Sequence, residues 1–193
     1  MRGIHIHYGR GLKILPMRDE ELLKEIAKGN EKALKELMNL YRSRLFFYAY
    51  GILQNYEDAE EAVSETFYQV WRSAKSFRGG AKVSTWLFGI TRNVSRNMLR
   101  KRLREPKTLE IMEQDALLDD THLEGEDIQL IKEALEKLPP THREVLHLAF
   151  YEDFSYEEIA NILGVPLGTV KTRVFHAKRK LLEVINEELK KSL

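Results

Sequence analysis

The sequence predicts an all-α protein made of two small helical domains joined by an acidic linker, the C-terminal domain being a helix-turn-helix. Three observations carry that prediction. Apolar residues recur at helical spacing over most of the 193 residues, the pattern that one buried helix face requires. Between Glu105 and Glu126 the period fades and acidic residues accumulate: Asp115, Asp119, Asp120, Glu124 and Glu126. From Ser155 to Leu182 two helix patterns follow each other across a glycine turn. The expected division is a mobile leader over 1–16, an N-terminal helical domain over 17–104, a linker over 105–126 and a C-terminal domain over 127–193.

Composition sets the outer bounds. Hydrophobic residues make up 43% and charged residues 32%, the balance of a globular, helix-rich protein rather than a disordered one. No apolar run approaches the roughly 18 residues that span a bilayer, and no signal-peptide pattern is present, so a cytoplasmic protein is expected. There is no cysteine, which excludes disulfides, a thiol nucleophile and cysteine-ligated zinc. The net charge of +1 conceals a segregation into acidic and basic blocks.

The leader contains His5, His7 and several glycines without helical period. Mobility is the expected reading and metal binding by the two histidines the competing one. Met17, immediately before the first convincing helix, is an alternative start. That helix uses Leu22, Leu23 and Ile26 and ends at Gly29. Asn30 caps a long second helix to about Leu53. A third begins near Tyr56 and buries Ala59, Ala62, Val63, Phe67, Val70 and Trp71, with Glu57, Asp58, Glu60, Glu61 and Glu65 outside. The helix macrodipole accounts for acidic residues in a first turn; a docking face for a basic partner is the sharper alternative.

Ser76 to Val83 interrupts the period with Gly79 and Gly80 between an aromatic residue and two cations, and reads as a loop. Ser84 is expected to cap a fourth helix with the apolar stripe Leu87, Ile90, Val94 and Met98. Its remaining positions are basic: Arg92, Arg96, Arg100, Lys101, Arg102 and Arg104, with Asn93 and Asn97 among them. No acidic residue sits at i+4 to pair with them, so a phosphate- and base-contacting surface competes with a plain solvated helix. The linker's residues could reach about 70 Å at ~3.3 Å each, on the order of 20 base pairs. After it, Ile128, Ile131, Leu135 and Leu138 form a helix that Pro139 and Pro140 break. Thr141 and Glu144 are read as a capping box opening the next helix, through Val145, Leu146, Leu148 and Ala149.

Ser155 and Glu158 form a second capping box. Ile159, Ala160, Ile162 and Leu163 give the helix they open an apolar face, and Gly164 stops it, because glycine enters the left-handed region at little cost. Pro166 precedes a further helix from about Leu167 to beyond Leu182. Val170, Val174, Ala177 and Leu181 face inward at 100° per residue. The opposite side carries Gly168, Thr169, Thr172, His176 and Arg179, flanked by Lys171, Arg173 and Lys180. Short hydroxyl donors beside long cations are the residue types that read base edges and phosphates, as a recognition helix in the major groove does.

Three blocks together resemble bacterial RNA polymerase sigma factors of the extracytoplasmic-function (ECF) type, over about Asp19 to Leu189. Asp58-Ala-Glu-Glu-Ala-Val-Ser-Glu-Thr-Phe-Tyr-Gln-Val-Trp71 resembles the family's core-polymerase-binding segment. Ser76 to Asn93 is similar to its promoter −10 region. Leu138-Pro139, Arg143 to Leu146, Ser155 to Ala160, Leu163-Gly164, Gly168 to Arg173 and Ala177 are similar to its −35-binding domain.

The resemblance implies a sigma factor that binds core RNA polymerase, directs it to promoter DNA and helps open the duplex. Asp58, Glu61, Glu65 and Gln69 would face the polymerase. The −10 set would be Phe77, Arg78, Lys82, Trp86, Asn93, Arg96, Asn97 and Arg100, with the loop from Phe77 to Val83 holding an extruded base. Thr169, Lys171, Thr172, Arg173, His176 and Arg179 would read the −35 element. Gly79-Gly80 departs from the family pattern, which has a polar residue there. The resemblance also implies an anti-sigma factor that wraps or wedges between the domains, and weak promoter binding by the free protein.

An enzyme is not expected. The sequence has no phosphate-binding glycine loop, metalloprotease histidine pair or nucleophile elbow, and no cofactor or metal is implied. His142, Glu144 and His147 have the wrong spacing for a zinc protease motif and are read as ordinary helix residues. Two other functions fit the residues alone. One is a dimeric helix-turn-helix repressor whose N-terminal helices sense a small molecule; the other is a helical adaptor that works through its acidic faces.

Overall fold

A computed structural model describes residues 16–104 and 134–191. The histidine leader before Pro16, the acidic linker and the helix start at Ile128 and Ile131 lie outside the described residues. What is described is helical, with no strand among those residues.

Helix α1 spans Pro16–Ala27. Gly29, at φ +89°, turns the chain and Asn30 caps α2, Glu31–Leu53, its side chain accepting from the amides of Lys32 and Ala33. Tyr41 of α2 donates to Asp19 of α1. Burial, reinforced by that carboxylate, holds the Tyr41 phenol above its usual pKa, so it keeps the proton that the bond needs. Asn55 caps α3, Tyr56–Ser73, by accepting from the Asp58 amide. A 3-10 turn, Ala74–Ser76, leads into the loop before α4, Val83–Arg104.

Helix α4 starts two residues earlier than a Ser84 cap requires. The Lys82 carbonyl accepts from the Trp86 amide, so Ser84 lies inside the first turn. Buried Thr66 and Thr91 join α3 to α4 by a hydroxyl bond of 3.2 Å. Thr91 donates to the Leu87 carbonyl, and the single Thr66 proton has the Ala62 carbonyl and the Thr91 hydroxyl within reach, so neither hydroxyl is left unsatisfied in the core.

The C-terminal unit holds α5, Pro140–Leu146, a wide π turn, His147–Tyr151, α6, Tyr156–Leu163, and α7, Leu167–Lys191. The Ser155 and Glu158 capping box forms as its sequence requires, and Gly164 takes φ +62° at the end of α6. The Thr141 and Glu144 pattern, by contrast, does not cap α5. Pro139 occupies the cap position without a side-chain bond, and Pro140 begins the helix, where its missing N–H costs nothing. Glu144 points elsewhere. The π turn keeps Leu148 buried while Phe150 and Tyr151 go to the surface, and Asp153 then takes a left-handed conformation at φ +56°.

The two units do not stand apart. One continuous core runs from Leu23, Leu37, Leu45, Phe67 and Leu87 in the first to Leu148, Ile159, Val170 and Val174 in the second. Helix α6 packs along α4, and α5 touches α2. A smaller cluster, Ala49, Leu53, Ala59, Ala62 and Val94, closes the far end of α2, α3 and α4.

Candidate nucleic-acid interface

Helix α7 has two chemically distinct sides. Val170, Val174 and Ala177 are buried, which anchors the helix and fixes its rotation. That rotation leaves Lys171, Thr172 and Arg179 exposed and Thr169, Arg173 and His176 half-buried. Thr172 Oγ1 donates to the Gly168 carbonyl at 2.9 Å, leaving its lone pairs outward. Arg179 and Lys180 both lean on Glu183, at 3.7 and 3.3 Å. These are exposed pairs of little strength that a phosphate could displace. The arrangement is a cationic ridge with hydroxyl and imidazole groups between the cations.

Helix α4 and its preceding loop make the second surface. The rings of Phe77 and Trp86 lie 5.2 Å apart and bracket the loop, whose Gly79 takes φ +71°. Arg78 and Lys82 are exposed, as are Asn93, Arg96, Asn97 and Arg100 along the helix; Arg100 donates to Asn97. Arg92 is the correction on this surface. It is only 8% exposed, and its Nε donates to Glu144 Oε1 of α5 at 2.8 Å. It therefore faces the other unit, and the solvated basic row runs through its neighbours.

The acidic set on α3 is divided. Asp58 pairs with Arg102 at 2.8 Å, and the same guanidinium donates to the Leu53 carbonyl at 3.0 Å, locking the α2–α3 corner to the end of α4. Glu65 accepts from Gln69 at 2.9 Å. Glu61 is exposed. A shallow groove of about 410 Å³ lies here, lined by Glu61, Ser64, Glu65, Tyr68, Val94 and Met98. It has an apolar floor and an acidic rim, and Tyr68 stands more than half exposed beside it.

The contacts that the sequence reading missed join the two units, and Arg44, Tyr48, Glu152 and Phe154 are the functional residues it did not single out. Arg44 reaches Glu152 at 2.6 Å, Arg92 reaches Glu144 and Lys82 reaches Glu158 at 2.9 Å. Tyr48 donates to Glu144 at 3.1 Å. Burial first, and the Glu144 carboxylate second, raise its phenol well above the usual pKa, so it remains a donor. The rings of Phe88 and Phe154 meet edge to face at 5.0 Å, and His147 stacks on Tyr48. His147 is thus a packing residue. No group of three or more potential metal ligands is found among the described residues.

Burial pushes the Glu158 carboxyl upward, but the Lys82 ammonium and the bonds from Ser155 outweigh it and leave the pKa below the usual 4.5. Its contribution to stability is therefore present in full above that unfolded value and disappears as pH falls through the lower folded one. Urea unfolding of the protein and of Glu158→Gln should show a stability gap at neutral pH that closes on acidification below 4.5. A gap independent of pH would contradict the ion pair.

Comparisons with known proteins find two matched segments. Residues 37–105 match the family described as Sigma-70 region 2, and residues 128–181 match Sigma-70, region 4. The ECF RNA polymerase sigma-E factor of Haemophilus influenzae is 30% identical over 181 residues, covering 86% of this chain and 94% of that protein. The ECF RNA polymerase sigma factor SigW of Bacillus subtilis is 27% identical, covering 90% and 100%. Among solved structures, the sigma factor RpoE of Bartonella quintana, in complex with the anti-sigma factor NepR, superposes with a TM-score of 0.63 at 30% identity, covering 80% of this chain and 98% of that one. With two helical units in the family's order and a close relative matched over nearly its whole length, the chain belongs to the extracytoplasmic-function sigma factors of bacterial RNA polymerase.

Proposed function

We infer that this protein binds core RNA polymerase, directs it to a set of promoters to initiate transcription, and is regulated by an anti-sigma factor. The observation that carries the reading is the ordered pair of sigma regions, combined with a recognition helix whose cationic side is open to solvent. The repressor alternative finds no support among the relatives, which are sigma factors. The anti-sigma element rests on the Bartonella quintana relative, which is bound to such a factor.

The reading divides the surfaces as follows. Helix α3, with Asp58, Glu61, Glu65 and Gln69, contacts the polymerase. The loop after it and α4 take the −10 element, and α7 takes the −35 element through Thr169, Lys171, Thr172, Arg173, His176 and Arg179. The boundaries 17–104 and 127–193 belong to this proposal, as does the linker over 105–126.

Family members are DNA-binding transcription factors, and the finer reading is that this chain catalyses nothing. Its cations and the Phe77–Trp86 bracket contribute binding free energy only. Opening the duplex costs unstacking energy, which an aromatic platform and phosphate contacts recover. No helix among the described residues is long and apolar enough to cross a membrane. The proposed location is the cytoplasm, where the polymerase works.

Binding to core polymerase tests the assignment of α3. Glu61→Lys with Glu65→Lys places cations on the rim of the groove and should weaken core binding at least tenfold in a fluorescence titration, since juxtaposed like charges cost several kcal/mol. Undiminished affinity would remove α3 from the polymerase contact.

A further inference from the structure

We propose that Gly89 is a close-approach site for promoter DNA, at which one nucleotide of the −10 strand lies directly against the backbone of α4, between the Trp86 ring and the Asn93 amide. The proposal rests on the assignment of α4 to the −10 element and adds to it a position without a side chain.

A glycine in this place needs a reason. It stands in the interior of Val83–Arg104, more than a turn from either end, where glycine leaves a helix less stable than alanine does. Two ordinary reasons fail. The backbone does not require it, because Gly89 is not among the glycines with positive φ, and any residue adopts the helical conformation. Nor does packing, because a Cβ built at Gly89 meets nothing within 4 Å, so no neighbouring helix uses the missing side chain to come closer. The free chain has no use for the gap. What remains is a partner that a side chain would hold off, and glycine serves that purpose wherever a backbone meets a ligand closely.

The gap opens on the basic side of the helix. At 100° per residue Gly89 falls within about 40° of Asn93, Arg96 and Arg100, all of them exposed. It is nearly opposite Leu87 and Thr91, which are buried. Trp86 lies one turn before it and Asn93 one turn after it, the spacings that share a face. The half-buried Trp86 ring leans on Phe77 at 5.2 Å, which steadies it as a platform.

Together these groups make a notch with an aromatic wall, bare backbone at its floor and an amide that both donates and accepts on the far side. A nucleotide freed from the duplex suits it, since its base offers a π face to the ring and a polar edge to the amide. Arg96 and Arg100 continue the row, where they meet the phosphates of neighbouring nucleotides. A side chain at position 89 would stand between ring and amide and keep the strand away.

Substitution separates this role from a structural one, because the two predict opposite changes. Gly89→Ala should raise the Tm of the full chain by about 2–4 °C, as a better helix former does. The same variant should reduce the affinity of the holoenzyme for a −10 strand about fivefold. Gly89→Leu, also a good helix former, should reduce it about fiftyfold. The probe is a labelled non-template strand spanning the −10 element of the promoter upstream of the protein's own gene, read by fluorescence anisotropy with core polymerase present. No cation is removed, so the salt dependence of binding should keep the parent's slope. Gly51→Ala is the control. A Cβ there also meets nothing within 4 Å, but the residue lies in the last turn of α2, and the change should leave DNA binding unaltered.

Parental affinity in both Gly89 variants overturns the close approach. A fall of equal size in Gly51→Ala overturns it too, by tying the loss to a stiffer fold rather than to position 89. So does a lowered Tm in Gly89→Ala, since the chain itself would then need the gap. Failure of the wider reading looks different and removes the inference with its premise. If α4 does not take the −10 element, Arg96→Gln with Arg100→Gln also leaves affinity for the strand unchanged. If the sigma reading fails, the unaltered protein gives core polymerase no affinity for it.

Discussion

Phe67→Ala is expected to destabilise the N-terminal unit by about 3–5 kcal/mol, the range for removing a buried aromatic ring. Phe67 is 2% exposed and lies on the inner side of α3 in the main core. Helix α3 bears on both α2 and α4, so a cavity there loosens the supports of the acidic groove and of the basic helix together. A typical domain has only 5–15 kcal/mol in total. Guanidinium unfolding should therefore show a midpoint lowered by about a fifth or more, with core binding lost as the unit melts. Phe67→Leu, which leaves most of the volume, should retain the larger part of the stability. An alanine variant as stable as the parent would mean that α3 is not anchored as described.

Arg173→Gln with Arg179→Gln is expected to reduce promoter-dependent transcription at least tenfold while leaving core binding and folding intact. Each base or phosphate contact is worth about 1–3 kcal/mol, and two together amount to one or more orders of magnitude. Arg179 is exposed and held only by Glu183; Arg173 is half-buried on the flank of the recognition side. Neither belongs to the core beneath α7. Transcription measured on templates with an intact and a scrambled −35 element gives the diagnostic contrast. The parent should lose activity on the scrambled template, and the variant should be weak on both. A variant that still distinguishes them as the parent does would place −35 recognition elsewhere.

The helix-turn-helix was legible because its signals are local. Ser155 and Glu158 satisfy each other within one turn, and Gly164 needs only its own φ of +62°. Asn30 and the period of α2 are of the same kind. Thr141 and Glu144 show where such a signal misleads. The same spacing precedes α5, but Pro140 is already suited to begin the helix, and Glu144 is drawn to Arg92 and Tyr48. Arg92 was misread for the complementary reason. Its partner lies 52 positions away, whereas a search for i+4 partners sees only its own helix.

Glu152 was invisible from sequence for that reason too, since Arg44 is 108 positions distant. The π turn at His147–Tyr151 carries no glycine or proline to announce it. Periodicity thus located the helices and most of their inward faces. The contact between the units depends on pairings that only tertiary packing creates.

The most direct test of the central claim is runoff transcription by purified core RNA polymerase, with and without this protein, on DNA taken from upstream of its own gene. The account predicts transcripts from a defined start site only when the protein is present, diminished by the Arg173 and Arg179 substitutions. If core polymerase is neither bound nor redirected, and the protein alone protects a palindromic site on the DNA, the account is contradicted and a repressor takes its place.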